Sequence, residues 1–179
     1  MKKADIRRRF RALRDGLRDR AERSAQALEA LGGALGTIDR LGSFSPIGSE
    51  ADPRGAKARR IAYPRIEGNE IVMRWAALEE LKPTGPYAIH EPAPAAPTAG
   101  HLDIVLVPGL VFDGVGGRLG YGRGFYDRLL RRVRGAGELT RFLGFGFQIQ
   151  WTEETLPQHE NDEPLDGFLS EAGLVWVEA

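Results

Sequence analysis

The apolar run "DIVLVPG" at residues 103–109 constrains the fold of this chain more than any other stretch. A strand with one face in water alternates apolar and polar residues, whereas a strand covered on both faces is apolar almost throughout. The run therefore predicts a central strand that is buried on both faces. It precedes the glycine-rich stretch "GGRLGYGRGFYDR", residues 116–128, which leads into the helix pattern "GFYDRLLRRVRG".

Other strand and helix patterns alternate along the chain. Apolar residues recur at three- and four-residue steps over residues 4–35, which predicts one long amphipathic helix. Strands are predicted over 37–46, 61–66, 70–76, 141–150 and 173–178. The segment "SEADPRGAKARR" is expected to hold a turn and a short helix, and residues 86–100 a surface loop. The alternation predicts an α/β sandwich with a mixed or parallel sheet, in one domain over 1–179.

Composition excludes several classes of site and partner. The chain contains no cysteine, which excludes disulfides, thiolate zinc sites and a cysteine nucleophile. Its 25 basic and 25 acidic residues balance, and acids cluster near the C-terminus, which argues against an RNA-binding module. No stretch is long and apolar enough for a membrane span, and the basic N-terminus lacks the apolar core of a signal peptide. We expect a cytoplasmic protein with no nucleic-acid or membrane partner.

The glycine-rich stretch has the chemistry of an anion-binding loop. Glycines let a phosphate approach the backbone closely, and the start of the following helix presents unpaired N–H groups. Arg118 and Arg123 add charged, forked donors that suit phosphate oxygens. The dinucleotide-binding fingerprint fails because residue 125 is Phe, and a P-loop would need a Gly-Lys-Ser/Thr triplet. The alternative interpretation is a tight glycine corner flanked by surface arginines.

The residues beside these glycines each allow two interpretations. Asp127 lies in the first turn of the predicted helix, where a carboxylate either complements the helix dipole or binds magnesium beside phosphates. Tyr121, Phe125 and Tyr126 either pack in the core or flank a flat ring ligand. Asp162 could complete a metal site with Asp127, although the two are far apart in sequence.

Basic residues crowd the start of the long N-terminal helix. Lys2, Lys3 and Arg7 lie where the helix dipole disfavours cations, so that either a bound polyphosphate or solvent must compensate them. The arginines that follow are interpreted as a solvated face: Arg8, Arg9, Arg11, Arg14 and Arg18.

The stretch "VPGLVFDGVGGRLGYGRGFYDRLL" resembles the signature of the 5-formyltetrahydrofolate cyclo-ligases, also called methenyltetrahydrofolate synthetases. The core of that signature, R-L-G-x-G-x-G-[YF]-Y-D, is intact from Arg118 to Asp127. Further segments resemble the same family, and with them the likeness covers nearly the whole chain: "KADIR", "SFSPIGSE", "YPRI", "IHEP" and "LPQHENDEPLDGFLSE". The fold that this resemblance implies is a three-layer α/β/α sandwich with a mixed, mostly parallel sheet, similar to phosphosugar isomerases and CoA transferases.

The resemblance also implies roles for individual residues. Contacts to ATP would come from Lys3, Arg7, Arg118, Leu119, Gly120, Tyr121, Gly122, Arg123, Gly124, Phe125 and Tyr126. Contacts to the folate would come from Ser45, Glu50, Tyr87, Tyr121 and Tyr126. Asp127 and Asp162 would hold Mg²⁺, and Arg118 and Tyr126 would assist the reaction.

The reaction implied is the ATP-dependent conversion of 5-formyltetrahydrofolate to 5,10-methenyltetrahydrofolate, with release of ADP and phosphate. Phosphorylation makes the formyl oxygen a leaving group, and the folate nitrogen N10 closes the ring, a chemistry that needs mainly positioning and charge neutralisation. The protein is expected to act on these small molecules as a monomer. The alternative is an enzyme like a phosphosugar isomerase or CoA transferase, which would have no reason to place Lys3 and Arg7 near the glycine-rich stretch.

Overall fold

A computed structural model of the chain describes residues 2–177, apart from the side chain of Tyr87. The helices of this range are α1 (Lys3–Asp15), α2 (Arg20–Leu35) and α3 (Phe125–Gly135). The first strands are β1 (Ile38–Gly42), β2 (Ala58–Glu67), β3 (Glu70–Trp75), β4 (Lys82–Pro83), β5 (His90–Glu91) and β6 (Ile104–Val107). The later strands are β7 (Val111–Asp113), β8 (Arg118–Leu119), β9 (Arg141–Phe145), β10 (Trp151–Thr152), β11 (Gly167–Ser170) and β12 (Gly173–Trp176). Short 3₁₀ turns lie at Leu78–Glu80, Pro86–Ala88 and Gln148–Gln150.

The main sheet lies between two layers of helix. Its strand order is β12-β11-β9-β6-β1-β2-β3, parallel from β11 to β2 and antiparallel only at the two edges. Strand β6 is the fourth of the seven strands described, and all its residues are buried. Ile104 and Leu106 pack in the cluster that includes α2, whereas Val105 and Val107 pack in the cluster that includes α3. The prediction of a central strand buried on both faces, within an α/β sandwich, is confirmed.

The prediction of one long N-terminal helix is wrong. Helix α1 ends at Asp15, and α2 begins at Arg20 after a short connection. The two helices pack in different places, because Ile6 and Phe10 of α1 join a small cluster away from the main sheet. Helix α2 packs its apolar face on the main sheet instead. The helical spacing of apolar residues continues through the connection, but it does not produce one helix. The chain must change direction there, because α1 and α2 pack in different places.

The short helix predicted within "SEADPRGAKARR" is also wrong. Residues 49–57 contain turns without a helix, and β2 begins at Ala58. Strand β2 pairs in parallel with β1, beginning with Ala58 opposite Ile38. Residues 58–60 therefore belong to the sheet and not to a helix. The turn before it is held by Asp52, whose Oδ1 accepts the backbone N–H of Arg54 at 3.0 Å.

Several strand boundaries differ from the sequence-based expectations. The strand expected over 37–46 ends at Gly42, and the strand expected over 141–150 ends at Phe145 before a 3₁₀ turn. The paired strands around the turn at Gly68 are confirmed as β2 and β3. The strand expected over 173–178 is β12, and residue 178 lies outside the described residues. Strand β11 was not predicted, because its four buried residues, "GFLS", are too few to show a periodic pattern.

A second, small sheet separates β6 from the glycines of residues 120–124. Strands β7 and β8 form an antiparallel hairpin, and β10 pairs with β7 in parallel. The expected order of buried strand, glycine loop and helix therefore needs correction, because the glycines of 120–124 follow β8 and not β6. The hairpin packs on α1 through Val111 and Leu119. None of the helices in residues 2–177 combines the length and apolar character that a membrane crossing requires.

Candidate active site

A cavity of about 1100 Å³ lies beyond the carboxyl ends of β1 and β6, where open α/β sheets bind their ligands. Ser45, after β1, and Pro108, after β6, are part of its wall. The wall contains these sequence-predicted residues: Lys3, Arg7, Ser45, Glu50, Arg118, Leu119, Gly120, Tyr121, Gly122, Arg123, Gly124, Phe125, Tyr126, Asp127 and Asp162. Tyr87 lies in the turn Pro86–Ala88, which also contributes to the wall, but its side chain lies outside the described part of the structure.

The loop 120–124, here called the glycine loop, connects β8 to α3. Gly122 has a φ of +89° and Gly124 a φ of +66°, a region that side-chain-bearing residues rarely adopt. Gly124 directly precedes the first residue of α3, so the unpaired N–H groups of the first helical turn lie at the cavity. The loop thus has the backbone geometry of an anion site.

The start of α1 lies on the same cavity as the glycine loop. Arg7 donates its Nε hydrogen to the carbonyl oxygen of Gly120 at 2.8 Å, and Lys2 and Lys3 also contribute to the wall. Because α1 and α3 both begin at this cavity, the partial positive charges of two helix starts lie at one site. This arrangement favours a ligand that carries several negative charges.

Lys3 has a carboxylate partner in the cavity wall. Its Nζ donates to Oδ2 of Asp162 at 2.6 Å, and the same oxygen accepts the backbone N–H of His159 at 2.8 Å. Partial burial opposes ionisation of Asp162, but the hydrogen bonds from Lys3 and His159 outweigh it and lower the pKa of this carboxyl group. Asp162 is therefore ionised at neutral pH, and its carboxylate oxygens can coordinate a cation.

Arg118 and Asp127 form a second ion pair in the wall. The guanidinium Nη2 of Arg118 donates to Oδ2 of Asp127 at 3.1 Å, and its Nη1 donates to the carbonyl oxygen of Pro108 at 3.2 Å. The other carboxylate oxygen of Asp127 accepts the backbone N–H of Glu163 at 3.3 Å. The Arg118 guanidinium also lies 5.8 Å from the centre of the Tyr126 ring. The strand β8 and the first turn of α3 are fixed to each other by this pair.

The carboxylate oxygens of this wall suit a hard divalent cation only if a bound substrate supplies further oxygens. Asp127 and Asp162 both contribute carboxylate oxygens to the cavity. Residues 2–177 contain no cluster of three or more His, Asp or Glu side chains placed to hold a metal ion. Magnesium demands six oxygens and is commonly held by one or two carboxylates with substrate phosphates and water. The two aspartates therefore fit Mg²⁺ that arrives with a phosphate ligand.

The segment after β1 contributes buried polar groups to the cavity. Oε2 of Glu50 accepts the backbone N–H of Ile47 at 2.8 Å, whereas Glu50 Oε1 and the Ser45 hydroxyl have no hydrogen-bond partner among residues 2–177. Burial raises the pKa of Glu50, and the Ile47 N–H and the charge of Arg14 oppose this shift only in part. A buried acceptor without a partner is costly, so this corner is built for a ligand that donates hydrogen bonds.

Arg14 contradicts the interpretation of the later α1 arginines as a solvated face. Its side chain is buried, with 2% of the residue surface exposed. It donates to the Ser49 hydroxyl at 3.0 Å, the Gly109 carbonyl at 3.3 Å and the Tyr121 hydroxyl at 2.8 Å. The sequence does carry a signal for it, because Arg14 follows Phe10 by four residues and so lies on the apolar stripe of the helix.

Glu91 is a second buried charge that was not singled out as a site residue. Its Oε1 accepts the backbone N–H of Ile66 at 3.1 Å, and its Oε2 lies 3.5 Å from Nη1 of Arg65. The same Nη1 donates to the carbonyl oxygen of Pro92 at 2.7 Å. The segments "YPRI" and "IHEP" are thus joined, and together they fix one wall of the cavity beside Ile89. The motifs "YPRI" and "IHEP" are the sequence features from which the pair of Arg65 and Glu91 could have been predicted.

Comparison with known proteins shows which family the chain belongs to. Residues 55–171 match the model of the 5-formyltetrahydrofolate cyclo-ligase family. The 5-formyltetrahydrofolate cyclo-ligase of Saccharomyces cerevisiae is 35% identical over 124 residues, which are 66% of this chain and 57% of the yeast protein. That of Escherichia coli K12 is 32% identical over 65% of this chain and 63% of the relative. The chain thus spans less than two thirds of the length of these relatives.

Solved structures with the same architecture cover nearly the whole chain. The 5,10-methenyltetrahydrofolate synthetase of Aquifex aeolicus superposes with a TM-score of 0.82 at 26% identity, over 100% of this chain and 94% of that one. The 5,10-methenyltetrahydrofolate synthetase of Mycoplasma pneumoniae gives a TM-score of 0.73 over 96% of this chain and 99% of that one. At 19% identity the second likeness concerns the fold alone. The alternative of an isomerase or CoA transferase is not favoured by these matches.

Proposed function

Because this chain belongs to the 5-formyltetrahydrofolate cyclo-ligase family, we propose that it converts 5-formyltetrahydrofolate to 5,10-methenyltetrahydrofolate at the cost of one ATP. The observation that carries the proposal is the hydrogen bond between Arg7 and Gly120, which joins the basic start of α1 to the glycine loop. A polyphosphate needs both features, since one supplies fixed positive charge and the other supplies close backbone donors.

The nucleotide side of the cavity consists of the start of α1, the glycine loop and the start of α3. Lys3 and Arg7 neutralise the phosphates, and backbone N–H groups of the loop and of the first turn of α3 bind their oxygens. The residues assigned to ATP are Lys3, Arg7, Arg118, Leu119, Gly120, Tyr121, Gly122, Arg123, Gly124, Phe125 and Tyr126.

Asp127 and Asp162 hold Mg²⁺ in this proposal, because they are the ionisable oxygen donors beside the phosphate-binding residues. The ion would neutralise charge on the phosphates and orient the group that is transferred. Both aspartates already lie beside cations, Asp162 beside Lys3 and Asp127 beside Arg118. Phosphates that bind Lys3 and Arg118 would leave the carboxylates of Asp162 and Asp127 free to hold the ion.

The folate lies on the opposite side, against the segment after β1 and the aromatic residues of the wall. Ser45, Glu50, Tyr87, Tyr121 and Tyr126 contact it in this proposal. The unpaired Oε1 of Glu50 accepts a hydrogen bond from the pterin ring, whose amino and ring N–H groups are donors. Pairing of this buried oxygen with the substrate removes the desolvation cost that the free site carries.

The reaction proceeds in two steps that the residues of the chain support by position and charge. The formyl oxygen attacks the γ-phosphorus of ATP, the bond from that phosphorus to the bridging oxygen breaks, and ADP leaves. The folate nitrogen then bonds to the formyl carbon as the carbon–oxygen bond breaks, so that phosphate leaves and the nitrogen loses its proton. Arg118 stabilises the charge on the transferred group. Burial raises the pKa of Tyr126, so its hydroxyl stays protonated and orients the substrate without acting as a base.

The same proposal includes the domain organisation, oligomeric state, localisation and partners of the protein. The protein acts as a single domain over residues 1–179, as a monomer in the cytoplasm, on small molecules and without a nucleic-acid or membrane partner. These assignments rest on the balanced charge of the chain and on the presence, in the cavity wall of one copy, of the assigned site residues other than Tyr87.

A direct assay tests the proposal. Purified protein is incubated with 5-formyltetrahydrofolate, ATP and Mg²⁺, and formation of the methenyl product is followed by its absorbance. We expect product in proportion to enzyme, with one ADP released per turnover, and no product when ATP or Mg²⁺ is left out. Absence of methenyl product, or product formed without ATP, would refute the function.

A further inference from the structure

Arg14 connects four separate parts of the chain at the edge of the cavity. Its guanidinium joins α1 to Ser49, to the carbonyl of Gly109 and to the hydroxyl of Tyr121. Ser49 is the neighbour of Glu50, and Tyr121 is the second residue of the glycine loop. Arg14 itself is not part of the cavity wall, so any effect on a ligand must pass through these partners.

We propose that Arg14 is a positioning residue, which fixes Tyr121 and the 49–50 corner relative to each other and so prepares the folate side of the cavity. The inference rests on the proposed function, because it assigns the affected ligand as the reduced folate. It extends that function to a buried residue outside the cavity wall.

The cost of burying Arg14 argues that it does more than fill space. A leucine at this position of the apolar stripe would pack beside Ile6 and Phe10 without desolvating a charge. The guanidinium instead donates hydrogen bonds to three different segments of the chain. One of the acceptors, the Tyr121 hydroxyl, belongs to a residue of the cavity wall. Charge-assisted hydrogen bonds from a planar group fix the angle of their partners as well as their distance.

The charge of Arg14 also acts on Glu50. Burial raises the pKa of Glu50, and the Ile47 N–H and the charge of Arg14 oppose that shift in part. Two other titratable groups face Glu50, Tyr121 from the glycine loop and Tyr126 from α3, and burial and the charge of Glu50 raise the pKa of both. Arg14 thus favours the ionised form of Glu50, in which both carboxylate oxygens accept hydrogen bonds.

The phosphate-binding backbone of the nucleotide side should depend on Arg14 much less, although Tyr121 is also assigned to ATP. The backbone of the glycine loop is held by the bond from Arg7 to Gly120, which Arg14 does not share. Removal of Arg14 therefore releases the Tyr121 side chain and the Glu50 corner, while the backbone donors for phosphate keep their anchor. A folate effect without an ATP effect separates this role from general loss of structure.

Three variants and one control test the inference. Arg14→Gln removes the charge and most of the bonds, Tyr121→Phe removes one bond alone, and the double variant combines them. Arg8→Gln is the control, because Arg8 is an exposed α1 arginine paired with Asp5 on the surface. We expect Arg14→Gln to raise the KM for the folate on the order of tenfold or more, with the KM for ATP nearly unchanged. Tyr121→Phe should give a smaller rise in the same direction, and the double variant should not exceed Arg14→Gln.

A pH profile adds a readout that a merely structural role would not move. Folate binding weakens at low pH as Glu50 becomes protonated, and loss of Arg14 should move this decline to higher pH. Calorimetric binding of the reduced folate without ATP, at several pH values, measures both effects independently of turnover. An unchanged folate affinity and an unchanged pH profile in Arg14→Gln would overturn the inference, and so would an unchanged folate KM in Tyr121→Phe if Arg14→Gln fails to fold.

The result for the unmodified protein separates this inference from the proposed function. If the protein binds the reduced folate but makes no methenyl product, the function fails while the binding measurements on the variants still decide the role of Arg14. If it binds no reduced folate at all, both proposals fail.

Discussion

Arg7 donates its Nε hydrogen to the carbonyl oxygen of Gly120 at 2.8 Å, across 113 positions of sequence. This bond holds the glycine loop against the start of α1, and it leaves the rest of the guanidinium beside Gly122. A side chain that both orders the loop and offers charge to a ligand should be among the most sensitive positions for nucleotide binding.

Arg7→Gln tests the nucleotide side of the cavity. The glutamine keeps a hydrogen-bond donor but loses the charge, so we expect the KM for ATP to rise on the order of tenfold to a hundredfold. The KM for the folate should change little. Steady-state kinetics with each substrate varied in turn measure the two effects, and Arg8→Gln, on the exposed face of the same helix, should match the unmodified protein. Equal rises for both substrates would show that Arg7 has no special link to ATP.

Asp127→Asn tests the proposed metal ligand. An amide keeps an oxygen acceptor for Arg118 but is a weaker, neutral ligand for Mg²⁺, so we expect kcat to fall on the order of a hundredfold. The Mg²⁺ concentration for half-maximal activity should rise, whereas the melting temperature should stay close to that of the unmodified protein. Asp52→Asn is a matched control, because Asp52 pairs with Arg54 away from the cavity. Full activity in Asp127→Asn would remove its metal role.

Glu50→Gln should separate stability from binding. Burial raises the pKa of Glu50 above its ordinary value of 4.5, so the folded protein holds a proton that the unfolded chain has released. Ionisation of this group therefore destabilises the fold as pH rises above 4.5, and the cost is complete once pH passes the folded-state pKa. The variant should melt at a higher temperature than the unmodified protein at neutral pH, with little difference below pH 4.5. Its affinity for the folate should fall at the same time, and a variant less stable at neutral pH would contradict the pKa shift.

A pair of glycine variants tests the strain at the glycine loop. Gly122 has a φ of +89°, so Gly122→Ala should cost about 1 to 2 kcal/mol of stability or distort the loop and weaken ATP binding. Gly33 lies in α2 with no atom within 4 Å of an added methyl group, so Gly33→Ala should stabilise the protein by about 0.5 to 1 kcal/mol. Chemical denaturation measures both changes, and their opposite signs identify the loop conformation as the cause. A neutral or stabilising Gly122→Ala would mean that the loop conformation places no demand on this position.

The sequence predicts best where one local pattern suffices. The apolar run at 103–109 identifies the central strand, and alternation around Gly68 identifies the β2–β3 hairpin. Prediction fails where tertiary contacts decide, as at the connection between α1 and α2, whose spacing continues a helix that the packing interrupts. Strand β11 is similar, because four buried residues become a strand only by pairing with β9 and β12.

The candidate site is predictable in parts but not as a whole. The composition of the glycine loop by itself predicts an anion site. No local sequence pattern predicts that Lys3 contacts Asp162, because the two residues are 159 positions apart. Arg14 was assigned to the surface because arginine is seldom buried, although its spacing from Phe10 places it on the buried stripe. A charged residue in phase with an apolar stripe is therefore a useful sign of a buried network.

The small cluster that attaches α1 to the β7–β8 hairpin makes the first helix a separable part of the molecule. Ile6 and Phe10 meet Val111, Leu119 and Leu156 there, and neither main cluster of the large sheet includes a residue of α1. A protease cut in the exposed connection around Arg18 would leave Lys3, Arg7 and Arg14 on a fragment that only noncovalent contacts hold in place. Dissociation of that fragment would remove the proposed nucleotide contacts of α1, whereas both main clusters of the large sheet would keep their buried residues.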